Sequence, residues 1–220
     1  LYRPQNIPLA SNPFAPKDVP QIALTNSAEL RTYSDIPKLG PVSDDKARDL
    51  IHGYYAAVSY VDAQIGRVLA ELDRLGLRRS TVVVLWGDHG WHLGEHALWG
   101  KQTDFEIATR APLIFSVPEL ADRGVASRAL VEFVDVYPTL VDLCGLPMPQ
   151  GLEGTSLVPV MKTPDRPWKR AVFSQYPHGP HKEVMGHSLR TDRYRYTEWA
   201  KSGDPPVGVE LYDHREDPNE

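Results

Sequence analysis

Cysteine is nearly absent from this chain, whose 220 residues contain only Cys144. A single cysteine excludes an internal disulfide and is too little for a cysteine-ligated metal site. It lies in the apolar run Leu140–Leu146, where we expect it to be a small buried hydrophobe. The redox compartment of the protein therefore cannot be deduced from its cysteine content.

The sequence also lacks an excess of positive charge and any long apolar stretch. The formal net charge is −5 and no cluster of lysine and arginine stands out, so nucleic acid is not expected as a partner. No run approaches the ~18–20 uninterrupted apolar residues of a membrane span, and none is expected. A hydrophobic content of 41% supports a packed core.

The two ends of the sequence do not look like the ends of a complete protein. The first residues, Leu1–Pro4, begin neither with methionine nor with a signal peptide. The last residues, Arg215–Glu220, stop without a natural close. We interpret the chain as an internal piece of a longer protein.

The first part of the chain predicts an α/β fold. Residues 1–42 are rich in proline and lack periodicity, which indicates an extended connector on a surface. Apolar residues then recur at steps of three and four from Ser43 to Gly76, which predicts one long helix. The apolar run Thr81–Trp86 predicts a strand covered on both faces of a largely parallel sheet, and Leu113–Val117 predicts a second strand.

The predicted secondary structure changes near residue 165, from helices to short strands. A helix is predicted over Tyr137–Leu143 after an Asp135 cap, and a brief one around Leu157. Short strands with a hairpin turn at Thr191–Asp192 follow: Ala171–Tyr176, Val184–Arg190, Arg193–Trp199 and Val209–Tyr212. We therefore expect part of an α/β domain over residues 1–165 and a small, truncated antiparallel α+β subdomain over 166–220.

A polar segment, Gly87–Trp91, directly follows the first predicted strand. Ligands of open α/β sheets bind beyond the carboxyl ends of the strands, so Asp88 and His89 form a candidate metal or catalytic site. A polar turn is the alternative, because Asp and Gly are common turn formers. The carboxylate suits calcium or magnesium and the imidazole suits zinc, so the residue types leave the metal open.

Three histidines, His89, His92 and His96, would share one face of a helix and could then hold zinc. Gly90 and Gly94 make a stable helix unfavourable here. The glycine spacing instead favours a loop that directs only Asp88 and His89 inward.

Lys101 follows thirteen residues after Asp88. If both face one pocket, the substrate is an anionic group such as sulfate or phosphate, held by metal and ammonium together. An ordinary solvated lysine is the alternative. No Ser or Cys lies in an elbow motif, so no nucleophile is visible.

The segment Gly87–Lys101 (GDHGWHLGEHALWGK) resembles the second metal-binding segment of type I sulfatases in the alkaline phosphatase superfamily. It is most similar to the iduronate-2-sulfatase-like branch, in which histidine replaces the asparagine of arylsulfatases. Further segments resemble the family in the same order: Tyr54–Gly66, Ala111–Val117, Val134–Leu140, Ser174–Pro177, Arg190–Trp199 and Leu211–Pro218. The resemblance covers nearly the whole chain.

This resemblance implies an alkaline-phosphatase-like sheet sandwiched by helices, of which the chain holds the C-terminal part. It implies hydrolysis of sulfate esters on a sulfated saccharide, often of the glycosaminoglycan type, in a periplasmic, secreted or lysosomal location. Asp88 and His89 would ligate one Ca²⁺ ion, and Lys101 would be the catalytic residue that bridges sulfate and nucleophile. The expected substrate-binding residues are Trp91, His92 and Lys101.

The family nucleophile is a formylglycine made from a Cys/Ser-x-Pro-x-Arg motif, which this chain lacks. The paired aspartates that complete the metal site in the family, and an upstream Lys and His, are missing as well. Calcium takes ~6–8 ligands, more than Asp88 and His89 supply. We therefore expect the C-terminal half of a sulfatase site, inactive without the missing N-terminal half of the same protein.

Two other functions stay open. Zinc phosphodiesterases or phosphatases of the same superfamily also carry an Asp-His-Gly segment, and an upstream lone Thr or Ser nucleophile would indicate them. An inactive protein that only binds sulfated glycans would keep the scaffold. The joint presence of Asp88, His89 and Lys101 argues against that second alternative, because binding alone does not need half of a metal site.

Overall fold

A computed structural model describes residues 2–118, 120, 124–179 and 181–220 of the chain. Its helices are α1 (Asp44–Arg74), α2 (Glu106–Thr109), α3 (Val136–Leu143) and α4 (Val158–Lys162). Its strands are β1 (Val83–Trp86), β2 (His92–Leu93), β3 (Trp99–Gly100), β4 (Leu113–Ser116), β5 (Val172–His178), β6 (Val184–Arg190), β7 (Tyr194–Ala200) and β8 (Gly208–Asp213). Within these described ranges, no helix is both long and apolar enough to cross a membrane.

Helix α1 has the start and the end that the sequence predicts. The Ser43 side chain accepts a hydrogen bond from the backbone N–H of Lys46 at 3.4 Å, which satisfies a free donor of the first turn. Past the last turn, Gly76 has φ +69°, a left-handed conformation that glycine adopts without steric cost. Both predicted ends of this helix are confirmed.

The apolar stripe of α1 is only partly buried. Ala47 and Ile51 are its buried residues. Val58, Val61 and Val68 are 52%, 53% and 70% exposed. Periodicity thus predicted the helix correctly, whereas the extent of its burial depends on what packs against it.

The strand that follows α1 differs from the prediction in its partner. Strand β1 pairs antiparallel with β4, with Val83 opposite Ser116 and Trp86 opposite Leu113. Trp86 is 48% exposed and Ile114 is 57% exposed. The expectation of a parallel strand covered on both faces is therefore wrong for this pair, because an apolar run indicates burial but does not determine strand direction.

The C-terminal residues form the four strands that the sequence predicts, in one antiparallel sheet of order β5–β6–β7–β8. The hairpin between β6 and β7 is closed by a hydrogen bond from the Thr191 N–H to the Tyr194 carbonyl at 2.8 Å. The core joins this sheet to earlier parts of the chain through Ala23, Leu98, Phe105, Val184 and Trp199. The division into domains at residue 165 stays a prediction.

Helix α3 is anchored by a buried carboxylate. Asp135 is 0% exposed and accepts hydrogen bonds from the N–H groups of Glu132 (2.9 Å) and Thr155 (2.8 Å) and from Lys169 Nζ (2.8 Å). At the other end, Cys144 caps the helix and is exposed. The expected burial of Cys144 is wrong, since the residue lies where the helix leaves the core.

Candidate active site

The loop between β1 and β2 carries Asp88 and His89 and is held by a close backbone approach. The N–H of Gly90 donates to the carbonyl of Ala108 at 2.7 Å. A Cβ at Gly90 would lie 1.8 Å from the carbonyl oxygen of Ile107. Only glycine fits there, and the contact fixes the loop against helix α2.

Both ring nitrogens of His89 face oxygen atoms. Its Nδ1 lies 2.9 Å from the carbonyl oxygen of Gly90, which can only accept, so Nδ1 carries the proton. The Nε2 of a neutral ring then has no proton, and it lies 3.2 Å from Oδ2 of Asp88. Two acceptors at this distance repel each other unless the ring is protonated or a cation lies between them.

The donor set of Asp88 and His89 fits part of a divalent-cation site. Metal-ligating histidines commonly donate their other ring N–H to a backbone carbonyl, as His89 does. Calcium ligands at ~2.3–2.6 Å and at right angles lie about 3.3–3.7 Å apart. The observed separation of 3.2 Å is close to this range. The Asp88 side chain is 83% exposed, so further ligands have access.

A second group of metal-ligand atoms lies elsewhere. Glu106, His214 and Glu220 bring one donor atom each within 4.8 Å of the others. Arg195 is paired with both carboxylates, and Arg190 Nε lies 3.0 Å from Glu106. These guanidinium groups neutralise the carboxylates and would repel a metal ion. We assign this group to ion pairing.

Lys101 directly follows β3 and faces the same indole as His89. Its Nζ lies 5.1 Å from the Trp91 ring centroid, within the ~6 Å range of cation–π contacts. The centroids of the His89 and Trp91 rings are 6.0 Å apart. Nζ is also 3.7 Å from the carboxylate of Glu29. Trp91 therefore joins the Asp88–His89 pair to Lys101.

A cavity of about 360 Å³ lies beside Lys101, within the ~300–1,000 Å³ range of small-molecule sites. Both Trp91 and Lys101 line it, whereas Asp88 and His89 do not. Its other walls are formed by Thr25, Ser27, Glu29, Leu30, Tyr33, Leu50, Gly53, Tyr54, Ala57, Leu93, Trp99, Gly100 and Gln102. The cavity and the Asp88–His89 pair meet at the indole.

His92 lies in the core and not in the cavity wall. It is 0% exposed, its Nε2 is 2.9 Å from Thr103 Oγ1, and its Nδ1 is 3.2 Å from the carbonyl of Glu95. Burial lowers its pKa to about 3, which keeps the ring neutral. The expected contact of His92 with substrate is wrong, because strand β2 turns this side chain inward.

The three histidines do not share a helix face. Within the described residues, the chain from residue 92 to 100 forms a short hairpin of β2 and β3. His96 is 2% exposed, and its Nε2 lies 2.7 Å from the carbonyl oxygen of Asn219. The loop that glycine spacing favoured over a zinc-binding helix is confirmed. The expectation that it directs only Asp88 and His89 inward is wrong, because the Asp88 side chain is 83% exposed whereas His92 and His96 are buried.

Sequence reasoning missed the contribution of residues 1–42 to this region. Glu29 and Tyr33 line the cavity. Ser27, which is 5% exposed, accepts a hydrogen bond from the Trp99 N–H at 3.0 Å and so attaches this segment to β3. No periodicity or motif in the segment signals this role.

Two family models match the chain. The model described as sulfatase matches residues 10–146, and the model described as N-sulphoglucosamine sulphohydrolase, C-terminal, matches residues 94–220. Iduronate 2-sulfatase of Homo sapiens is 32% identical over 91% of this chain. The chain spans 48% of the length of that relative.

Solved structures resemble this fold. The structure of a protein in complex with its substrate D-glucosamine-2-N,6-O-disulfate matches with a TM-score of 0.73 and 30% identity, over 87% of this chain and 39% of that one. A phosphonate monoester hydrolase from Silicibacter pomeroyi matches with a TM-score of 0.78 and 26% identity, over 99% and 46%. The predicted alkaline-phosphatase-like α/β fold is confirmed.

Proposed function

The chain belongs to the sulfatase family, and from this premise we propose that it forms part of the active site of a sulfuric ester hydrolase acting on a sulfated saccharide. The proposed site lies in the loop Gly87–Lys101. The observation that carries the proposal is the 3.2 Å separation of His89 Nε2 and the Asp88 carboxylate, with His89 Nδ1 held by the Gly90 carbonyl. A divalent cation held by both side chains would be stabilised by the carboxylate and would in turn attract a sulfate.

The residues of this loop take distinct roles in the proposal. Asp88 and His89 would hold one divalent cation, taken to be Ca²⁺, which would draw electron density from sulfate oxygens. Lys101 donates a hydrogen bond to sulfate and stabilises the charge that develops as the S–O bond breaks. Trp91 offers a flat apolar surface to the sugar, since its indole lies between His89 and the cavity.

The rest of the site comes from residues outside these 220 in this proposal. Formylglycine serves as the nucleophile, and the remaining metal ligands accompany it in the missing half of the same protein. The coverage of 48% of the human relative supports this arrangement. The isolated chain is then inactive, and the whole protein works in an extracytoplasmic compartment.

The test is turnover of 4-methylumbelliferyl sulfate by the complete protein. We expect Lys101→Ala to lower kcat by about 100-fold or more, in the range seen when an oxyanion donor is removed. Lys162→Ala, which removes an exposed lysine at the end of α4, is the matched control and should leave kcat unchanged. Turnover by the 220 residues alone, lost on Lys101→Ala, would refute the proposed division of the site.

The metal is tested separately. EGTA treatment should abolish turnover, and Ca²⁺ should restore it to the wild-type protein but not to Asp88→Ala. Direct calcium titration by calorimetry provides a readout that does not depend on activity. Wild-type affinity in Asp88→Ala would argue against a metal at this pair.

A phosphorus-ester hydrolase is the second candidate. The observation that favours it is the match to the phosphonate monoester hydrolase over 99% of the chain. Sulfate and phosphonate esters both present tetrahedral oxyanions, which Lys101 and a bound cation would accommodate alike. A kcat/KM at least tenfold higher for an aryl phosphonate monoester than for the aryl sulfate would select this candidate.

A further inference from the structure

We propose that the cavity beside Lys101 binds the sugar ring that carries the sulfate, and that Glu29 selects a ring without a second negative charge. In this proposal a neutral or amino-bearing pyranose fits the subsite and a uronic acid does not, in contrast to the iduronate for which the human relative is named. The inference rests on the proposed function, because it takes Lys101 as the residue that grips the sulfate.

The place of Glu29 is fixed by the fold. Ser27, two residues earlier, has φ +55° and accepts the hydrogen bond from the Trp99 N–H. Lys101 lies two residues beyond Trp99. The hydrogen bond between Ser27 and Trp99 therefore brings the Glu29 carboxylate close to the Lys101 ammonium. The result is the 3.7 Å separation between Glu29 and Lys101.

The charges of the cavity wall lead to selectivity. Glu29 and Lys101 are the two charged side chains among its lining residues. When the Lys101 ammonium turns to a sulfate oxygen, the Glu29 carboxylate loses a neutralising partner. A ring hydroxyl or ammonium can then donate to Glu29, whereas a ring carboxylate meets an uncompensated negative charge. Specificity arises from that repulsion as much as from the attractive contacts.

The other walls suit a single pyranose. Four aromatic side chains surround the cavity, from Tyr33, Tyr54, Trp91 and Trp99. The Tyr54 and Trp91 rings are 6.3 Å apart and tilted by 35°, which presents a continuous apolar surface. Aromatic walls with a few polar groups are typical of sites that fix the orientation of a small ligand.

The experiment compares two sulfated sugars with the complete protein. The kcat/KM values for 6-O-sulfo-N-acetylglucosamine and for 2-O-sulfo-iduronate are measured for wild type, Glu29→Gln and Glu71→Gln. Glu71 is the control: it is exposed and lies seventeen residues beyond Tyr54 on α1, about 25 Å along the helix axis. We expect wild type to favour the amino sugar, Glu29→Gln to reduce that preference about tenfold, and Glu71→Gln to leave it unchanged.

A wild-type preference for the uronate, or a ratio unaltered by Glu29→Gln, overturns the subsite. If no sulfate ester is hydrolysed, the proposed function fails, and direct binding then decides the subsite separately. Saturation-transfer NMR with unsulfated N-acetylglucosamine and with glucuronate provides that measurement. Binding of the amino sugar alone, with glucuronate admitted by Glu29→Gln, supports the subsite. Equal binding of both sugars, or binding of neither, refutes it.

Discussion

The guanidinium of Arg195, on β7, donates a hydrogen bond to the backbone carbonyl of Asp104, which lies three residues beyond Lys101, at 3.0 Å. Arg195 also donates to Ser188 Oγ at 3.0 Å and to the carboxylate of Glu106. The four-stranded sheet thereby holds the segment that follows Lys101. The placement of that ammonium depends on residues far away in the sequence.

Replacing Arg195 should destabilise the protein, because the side chain is 2% exposed and pairs with buried carboxylates. Arg195→Lys keeps the charge but loses the planar fork, and we expect a loss of about 1–3 kcal/mol. Arg195→Met removes the guanidinium that Glu106 and Glu220 share, which leaves Glu106 with Arg190 and Glu220 with His214, and it should cost about 3–5 kcal/mol. Urea unfolding measures both, with Arg79→Lys, at an exposed position beyond α1, as the control. A change below ~0.5 kcal/mol for Arg195→Met would contradict this account.

Gly90→Ala should disrupt the loop that carries Asp88 and His89. The new Cβ would lie 1.8 Å from the backbone oxygen of Ile107, a contact that no side-chain rotation relieves. We expect a loss of about 1–3 kcal/mol in unfolding free energy, together with a fall in kcat. Gly66→Ala, at an open helical position of α1, should instead stabilise by up to ~1 kcal/mol. Similar effects of both substitutions on stability would argue against the close approach.

Asp104 should make stability decrease with rising pH. Burial raises its pKa to about 7, with the Arg195 charge opposing the shift. The native state therefore keeps a proton that the unfolded chain releases near pH ~4, so stability falls from pH ~4 to ~7 and is level above. Asp104→Asn removes this penalty and should be more stable than wild type at pH 8, by up to ~4 kcal/mol. A gain of equal size at pH 4 would exclude this cause.

His92 should make the free energy of unfolding decrease as the pH falls. Burial lowers its pKa to about 3, so the unfolded chain takes up a proton near pH ~6.5 that the native ring does not accept. Its contribution to stability is lost as pH falls from ~6.5 towards ~3. In the Asp104→Asn background, unfolding free energy should therefore decline below pH ~6.5, and His92→Gln should flatten that decline. The same slope with and without His92 would assign the decline to other groups.

The elements that the sequence predicted well are those set by local chemistry. Helix α1 starts at the Ser43 cap and ends before Gly76, and the turn at Thr191 joins two of the predicted C-terminal strands. The loop with Asp88 and His89 was also predicted, because Gly87 and Gly90 end the apolar run and favour a turn. Each of these signals lies within a few residues of what it specifies.

Non-local contacts set the features that the sequence did not predict. The antiparallel pairing of β1 depends on β4, some thirty residues later. The burial of His92 depends on Thr103 across the hairpin, and the position of Glu29 depends on the hydrogen bond that Ser27 accepts from the Trp99 N–H. No local sequence pattern indicates that the two partners of such a contact will meet in the fold.

Val58, Val61 and Val68, in the apolar stripe of α1, form an exposed hydrophobic surface. Strands β1 and β4 form a two-stranded ribbon within the described residues, and such a ribbon leaves backbone groups open along both borders. We expect the isolated 220 residues to aggregate and to bind hydrophobic dyes. Handling it with a solubilising fusion or mild detergent is the practical consequence.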